Sequence, residues 1–255
     1  MPIDIVTVPC RSDNYAFLLH DEASGRTALV DAPETAPMVA ALEARGWSLE
    51  EIWITHHHGD HVEGVDDLRA RYGATVTGGA ADAHRLPKLD RAVADGDSFD
   101  FAGSEVRVMD VSGHTVGHIA FHLPSAMAVF TADSLMALGC GRVFEGTFPQ
   151  MWSSLSKLAA LPPETLVHSG HEYTTANARF AMTIEPENPA LISRTEAIAA
   201  ARAAGKPTVP SLLSEELATN PFLRAGLPEV KAAVGMENAS DAEVFGEIRS
   251  RKDRF

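Results

Sequence analysis

Four of the seven residues in Thr55-His56-His57-His58-Gly59-Asp60-His61 can bind a metal through nitrogen or oxygen: His56, His58, Asp60 and His61. Alternate side chains of an extended chain share a side. His56 and His58 can therefore reach one ion together, while His57 points the other way and packs or supports the ligands. Asp60 and His61 follow after the chain begins to turn, and they face a second, neighbouring position. One loop with two ligand pairs predicts two metals. The apolar run Ile52-Trp53-Ile54 before it reads as a short buried strand. Val62, Val65, Leu68 and Tyr72 after it fall on one face of a helix that stops at Gly73. The cluster thus sits on a strand-to-helix loop, where a rigid scaffold can present chemistry.

Three more candidate ligands recur at the ends of apolar strands: His114 in Ser112-Gly113-His114-Thr115, Asp133 in Thr131-Ala132-Asp133, and His171 in Ser169-Gly170-His171-Glu172. The combined reading gives His56, His58 and His114 to one ion, Asp60, His61 and His171 to the other, and Asp133 to a bridge between them. A bridging carboxylate screens the repulsion of two cations about 3.5–4 Å apart. Imidazole and carboxylate suit zinc, and also iron or manganese. No cysteine joins either set, unlike a closed structural zinc site. An open position would hold a water whose pKa falls towards neutrality, giving hydroxide, which Asp60 could orient.

The elements that must position these residues are legible in outline. Residues 3–8, 15–19 and 27–31 read as strands, with a hairpin turn at 22–25. Residues 34–45 read as a helix stopped by Gly46. A short strand at 75–77 and a looped region at 78–90 follow. Strands at 98–101 and 104–111 turn at Ala102-Gly103. Strands at 118–123 and 127–131, a helix at 152–160 and a strand at 165–168 complete the mixed half. Beyond residue 171 the pattern is helical, with pieces at 189–204, 211–218 and 241–252. The expected architecture is an α/β domain over residues 1–173 and a small helical domain over 174–255.

The bulk composition narrows the function. A chain of 255 residues with 45% hydrophobic and 22% charged residues is ordinary for a globular protein. The net charge of −14 argues against nonspecific nucleic-acid binding. No apolar run approaches the roughly 20 residues that span a bilayer, and Met-Pro-Ile-Asp-Ile at the start carries no secretory pattern. Two cysteines, Cys10 and Cys140, fit free thiols in a reducing compartment, so a cytoplasmic monomer is expected. Neither is paired with a base, so packing rather than nucleophilic attack is their expected role.

The pattern His56-x-His58-x-Asp60-His61 with a downstream histidine, aspartate and histidine resembles the metallo-β-lactamase superfamily, which implies an αββα sandwich followed here by a small all-helical C-terminal domain. Narrower motifs resemble glyoxalase II, the hydroxyacylglutathione hydrolases: Gly113-His114-Thr115, Ala132-Asp133-Ser134, Gly139-Cys140-Gly141-Arg142, Glu145-Gly146-Thr147, Gly170-His171-Glu172-Tyr173-Thr174, Asn220-Pro221-Phe222-Leu223-Arg224 and Arg249-x-x-Lys252-Asp253. The resemblance spans residues 14–255. It implies a dinuclear hydrolase that splits S-(2-hydroxyacyl)glutathione, such as S-D-lactoylglutathione, into glutathione and a 2-hydroxy acid, the second step of methylglyoxal detoxification. It also implies glutathione contacts at Arg142, Tyr173, Arg249 and Lys252, and Asp60 and Asp133 as catalytic residues that hold a metal-bridging hydroxide. The sequence departs from the family at Arg142, where a lysine is common and arginine keeps the charge, and at Phe144, where a tyrosine is common, so a hydrogen bond to the substrate is lost. It departs again at Gly59, often bulky, and Glu63, often glycine. A sister thioesterase or lactonase, a mononuclear-iron persulfide dioxygenase and a non-catalytic metal- or glutathione-binding module are the competing readings.

Overall fold

The structure, a computed structural model, describes residues 3–255. Met1 and Pro2, which open the amino-terminal stretch read above, lie outside the described residues. The chain forms two compact units. One holds the described residues up to Asp110 together with Val116–Thr131; the other holds Val111–Thr115 and Ala132–Phe255.

The first unit begins with a sheet in sequential order: β1 (Asp4–Cys10), β2 (Asn14–Asp21), β3 (Arg26–Val30), β4 (Glu51–Ile54), β5 (Thr75–Gly79) and β6 (Arg91–Val93). The first three strands run antiparallel and the pairs from β3 to β6 run parallel. Parallel neighbours need crossovers. α1 (Thr35–Glu43) joins β3 to β4, and α2 (Gly59–Val62) and α3 (Val65–Tyr72) join β4 to β5. The strands β7 (Ser98–Phe101), β8 (Ser104–Asp110), β9 (Ile119–Leu123) and β10 (Ala128–Ala132) form an antiparallel meander.

Strand β4 shows how sequence alternation builds the layers. Ile52 and Ile54 join Leu29, Met38, Leu42, Val65 and Leu68 in one core on the helix side. Trp53 points to the opposite face. There its ring meets Phe99 and Phe101 edge-on, at 5.2 and 5.3 Å, and Phe121 at 5.6 Å. Each such ring pair adds about 0.5–1.5 kcal/mol beyond its burial. The end of β4 is thereby fixed from both sides before it delivers Thr55 and the histidines.

The single helix expected after the ligand loop is instead α2 and α3. The Ala32 N–H donates to the His61 carbonyl at 2.8 Å, and the Gly64 N–H donates to the Ala32 carbonyl at 2.9 Å. These bonds to the loop after β3 replace the helical continuation, so Asp60 and His61 stand on their own helical turn. A Cβ on Gly64 would lie 2.9 Å from the Glu34 carbonyl carbon, so glycine is required at the break. The stop at Gly73 is as expected, with φ of 72°.

The second unit contains the hairpin β11 (Leu135–Met136) and β12 (Gly139–Cys140), α4 (Phe148–Ala159), β13 (Leu166–Ser169), α5 (Thr174–Ile184), α6 (Pro189–Ala203), β14 (Ser211–Leu212), α7 (Leu213–Thr219), α8 (Pro228–Val234) and α9 (Asp241–Asp253). The piece expected to be helical from residue 211 differs at its start: Ser211 and Leu212 pair with β13, and the helix begins at Leu213. The helical region grips the hairpin. The Asn220 amide donates to the carbonyls of Met136 and Gly139 at 3.2 and 3.0 Å. The Asn177 amide donates to the Ala137 carbonyl at 3.0 Å, and Glu216 accepts the Leu138 N–H at 2.8 Å. Among the described residues no helix is long and apolar enough to cross a membrane.

Candidate metal centre

All seven expected ligands fall in groups of histidine and aspartate donors able to hold a metal ion. The first unit carries His56, His58, Asp60 and His61 at the carboxyl end of a parallel strand, the usual ligand-binding edge of such a sheet. Asp31 organises them. Its carboxylate accepts the Thr55 N–H at 2.9 Å and the Thr55 hydroxyl at 2.8 Å, and it meets His61 Nδ1 at 2.8 Å. The Thr55 oxygen in turn lies 3.0 Å from His56 Nδ1. With both Nδ1 atoms donating, His56 and His61 each carry their lone pair on Nε2, the tautomer a metal ligand needs. His56 Nε2 lies 3.2 Å from His58 Nδ1. The two nitrogens are close enough for one ion to be held by both. The Asn14 amide, buried, donates to Asp60 Oδ2 and to the Asp60 carbonyl, both at 3.1 Å. His118 stacks on His56, with centroids 4.5 Å apart.

The second unit carries the other three. His114 Nε2 lies 3.4 Å from Asp133 Oδ2, and His171 Nε2 lies 3.4 Å from Asp133 Oδ1. One carboxylate thus offers each oxygen to a different imidazole. His114 Nδ1 donates to the Arg142 carbonyl at 2.8 Å, which again leaves the lone pair on Nε2. Gly141 makes room for this set. A Cβ there would lie 2.0 Å from the Asp133 carbonyl oxygen and 3.0 Å from His114 Nδ1.

The residues expected to contact substrate are distributed around this second set. Tyr173 is exposed and stacks on His171 at 4.6 Å and 6°. Phe144 is 62% exposed, with its ring 5.3 Å from that of His114. Arg142 is exposed, its Nε 3.5 Å from Asp253 Oδ1. Lys252 donates to the Ala176 carbonyl at 3.1 Å and lies over Phe180 and Phe255. Burial lowers its pKa to about 8, with Arg249, Arg179 and Arg142 adding to the shift. Arg249, expected to contact glutathione, is buried. It is 3% exposed, its guanidinium donating to the Cys140 carbonyl at 2.8 Å and Asp253 at 2.9 Å and lying over Phe222.

Several other expectations meet the structure here. His57 turns away from the ligand side and meets Asp82 Oδ2 at 2.9 Å. Cys10 and Cys140 are free and buried, and burial raises their pKa to about 12 and about 11, far from a thiolate nucleophile. Gly59 and Glu63 are linked: a Cβ on Gly59 would lie 2.8 Å from Glu63 Oε1, and Glu63 pairs with Arg11. The supporting residues Asn14, Asp31 and Asp82 were not singled out from sequence. For Asp31 a signal existed, since it ends an apolar strand as Asp133 does.

The sandwiched sheets and the histidine–aspartate donors define a member of the metallo-β-lactamase superfamily, and the superfamily model matches residues 12–171. The model for the hydroxyacylglutathione hydrolase C-terminus matches residues 172–255. A hydroxyacylglutathione hydrolase of Roseobacter denitrificans is 67% identical over 255 residues, the whole of both chains. The chain belongs to the hydroxyacylglutathione hydrolase family, and it is a hydrolase with the αββα sandwich and helical C-terminal region that its motifs imply. Among solved structures, ETHE1 from Myxococcus xanthus is 25% identical with a TM-score of 0.67, covering 99% of this chain and 98% of that one. TTHA1623 in a di-iron-bound form is 26% identical with a TM-score of 0.56, covering 66% and 91%. The donor set and the fold support divalent metal ions as the cofactor.

Proposed function

We propose that this chain hydrolyses S-(2-hydroxyacyl)glutathione, with S-D-lactoylglutathione as the substrate of methylglyoxal detoxification, at a dinuclear zinc centre. The observation that carries the reading is the full-length 67% identity to a hydroxyacylglutathione hydrolase. His56, His58 and His114 would hold one ion, Asp60, His61 and His171 the other, and Asp133 would be shared by both. When bound, such ions supply a water acidified towards neutral pH and an electrophile for the thioester carbonyl.

The chain's own groups do the rest. Asp60, held through Asn14, accepts a hydrogen bond from the attacking water and so aims it. Asp31 keeps His61 and, through Thr55, His56 in the ligating tautomer. The leaving thiolate has an ordinary pKa near about 8.5, so its departure needs no general acid, and no buried cysteine or histidine has to supply one. Arg142 and Lys252 bind the carboxylates of glutathione, and cation–carboxylate pairing on an acidic protein focuses an anionic substrate. Tyr173 and Phe144 flank the peptide portion. Arg249 would complete the glutathione site, held in place at the Cys140 carbonyl and Asp253.

Residues 174–255 would form the helical substrate-binding domain and residues 1–173 the catalytic one. The protein would act as a monomer in the cytoplasm, which two free cysteines fit. Hydrolysis of S-D-lactoylglutathione compared with simple lactones and non-glutathione thioesters tests the reading. The glutathione thioester should be preferred, and turnover should vanish on chelation and return with zinc. Equal turnover of thioesters that lack glutathione would overturn the substrate assignment.

A further inference from the structure

Outside the ligand set, a second buried acidic group beside the histidine loop is Asp82, in a turn just after β5. It is 1% exposed, and both carboxylate oxygens are used. Oδ2 meets His57 Nδ1 at 2.9 Å. Oδ1 accepts from Arg85 Nε at 2.6 Å, and Arg85 Nη2 donates to the Val116 carbonyl at 2.9 Å. The packing around it is tight. A Cβ on Gly117, where φ is +92°, would lie 3.0 Å from the Asp82 Cβ, and one on Gly79 would lie 2.9 Å from the Gly117 carbonyl oxygen.

A buried carboxylate costs several kcal/mol unless charge partners and hydrogen bonds satisfy it. Packing alone does not require one here. What Asp82 achieves is geometric. His57 lies between two ligands, and alternate side chains of an extended segment point to opposite sides. Anchoring the His57 ring outward fixes the backbone that directs His56 and His58 inward. The Arg85 bond extends the same network to Val116, two residues beyond His114 in the chain.

We propose that Asp82 is a positioning residue for the metal centre: through His57 it sets the segment that carries His56 and His58, and through Arg85 it ties that segment to the stretch following His114. The proposal rests on the metal-centre reading above. Outer partners of metal ligands typically contribute ten- to hundred-fold in metal affinity.

The test uses the full-length protein, with zinc as the probe, in competition with a chromogenic chelator. Asp82→Asn, His57→Gln and the double variant are compared with wild type, and the visible bands of the cobalt(II)-loaded forms are recorded. Asp82→Asn should weaken zinc binding by about ten-fold or more and shift the cobalt bands. His57→Gln should do the same, and the double variant should bind no more weakly than the weaker single. Should Asp82→Asn fail to fold, His57→Gln carries the test, because it leaves the Asp82–Arg85 pair in place. Wild-type zinc affinity with unchanged cobalt bands in the foldable variants, or fully additive losses in the double, would overturn the proposal. Wild-type protein that yields its zinc to the weakest chelator would instead overturn the metal-centre reading on which it stands.

Discussion

His61 Nδ1 lies 2.8 Å from Asp31 Oδ2, the same oxygen that the Thr55 hydroxyl reaches at 2.8 Å. One carboxylate therefore sets the tautomer of ligands proposed for two different ions. Asp31 has φ of 58°, a left-handed conformation that asparagine also tolerates. Asp31→Asn should keep the backbone and lose the charge, lowering zinc affinity about ten- to hundred-fold, and, because its amide faces a buried donor, the metal-free protein should also melt at a lower temperature. Zinc competition and thermal melts on the same sample check it; wild-type affinity would contradict it.

Gly141→Ala should cost far more than an ordinary surface substitution. Its Cβ would press to 2.0 Å on the Asp133 carbonyl oxygen, which is backbone and cannot swing aside. The strand end that carries Asp133 must shift, and misplacing a reacting group by about 1 Å can cost about a hundred-fold in rate. A loss of kcat of that order with a folded circular dichroism spectrum is the expected outcome.

The pH dependence of substrate affinity should report Lys252. Burial holds its pKa at about 8, so its ammonium is charged below that pH and neutral above it. If it binds a glutathione carboxylate, KM rises as pH passes through 8, by about ten-fold for the loss of one charged hydrogen bond. Lys252→Arg stays charged throughout, so its KM should be flatter over the same range. Parallel KM profiles for the two proteins would remove Lys252 from the substrate site.

Phe144 stands where the resemblance calls for tyrosine, and its ring is largely exposed beside His114. Phe144→Tyr should therefore restore one hydrogen bond to the substrate. KM should fall by about two- to ten-fold at nearly constant kcat. A fall in kcat instead would indicate that the ring acts on His114.

The strands and the ligand loop were legible because they rest on local pattern, whereas the layered sandwich was what the family resemblance implied. The apolar run Ile52-Trp53-Ile54 reads as a short buried strand, and the aromatic contacts of Trp53 bear this out. The division into α2 and α3 was not legible, because the bonds that break the helix come from Ala32, far away in sequence. Arg249 illustrates the same limit. The motif Arg249-x-x-Lys252-Asp253 does not reveal its burial, because that comes from Cys140 and Phe222, which lie far away in sequence. Asp31 ends an apolar strand as Asp133 does, but its partners Thr55 and His61 lie far along the chain; Asp82 has no motif of its own, and only three-dimensional proximity reveals what it holds.

The dinuclear centre is tested most directly by titrating zinc into metal-free protein while following hydrolysis of S-D-lactoylglutathione. Activity should rise until two equivalents are bound per chain, and an Asp133→Ala variant should be inactive at any zinc level. Full activity at one equivalent would contradict a pair of ions held by Asp133.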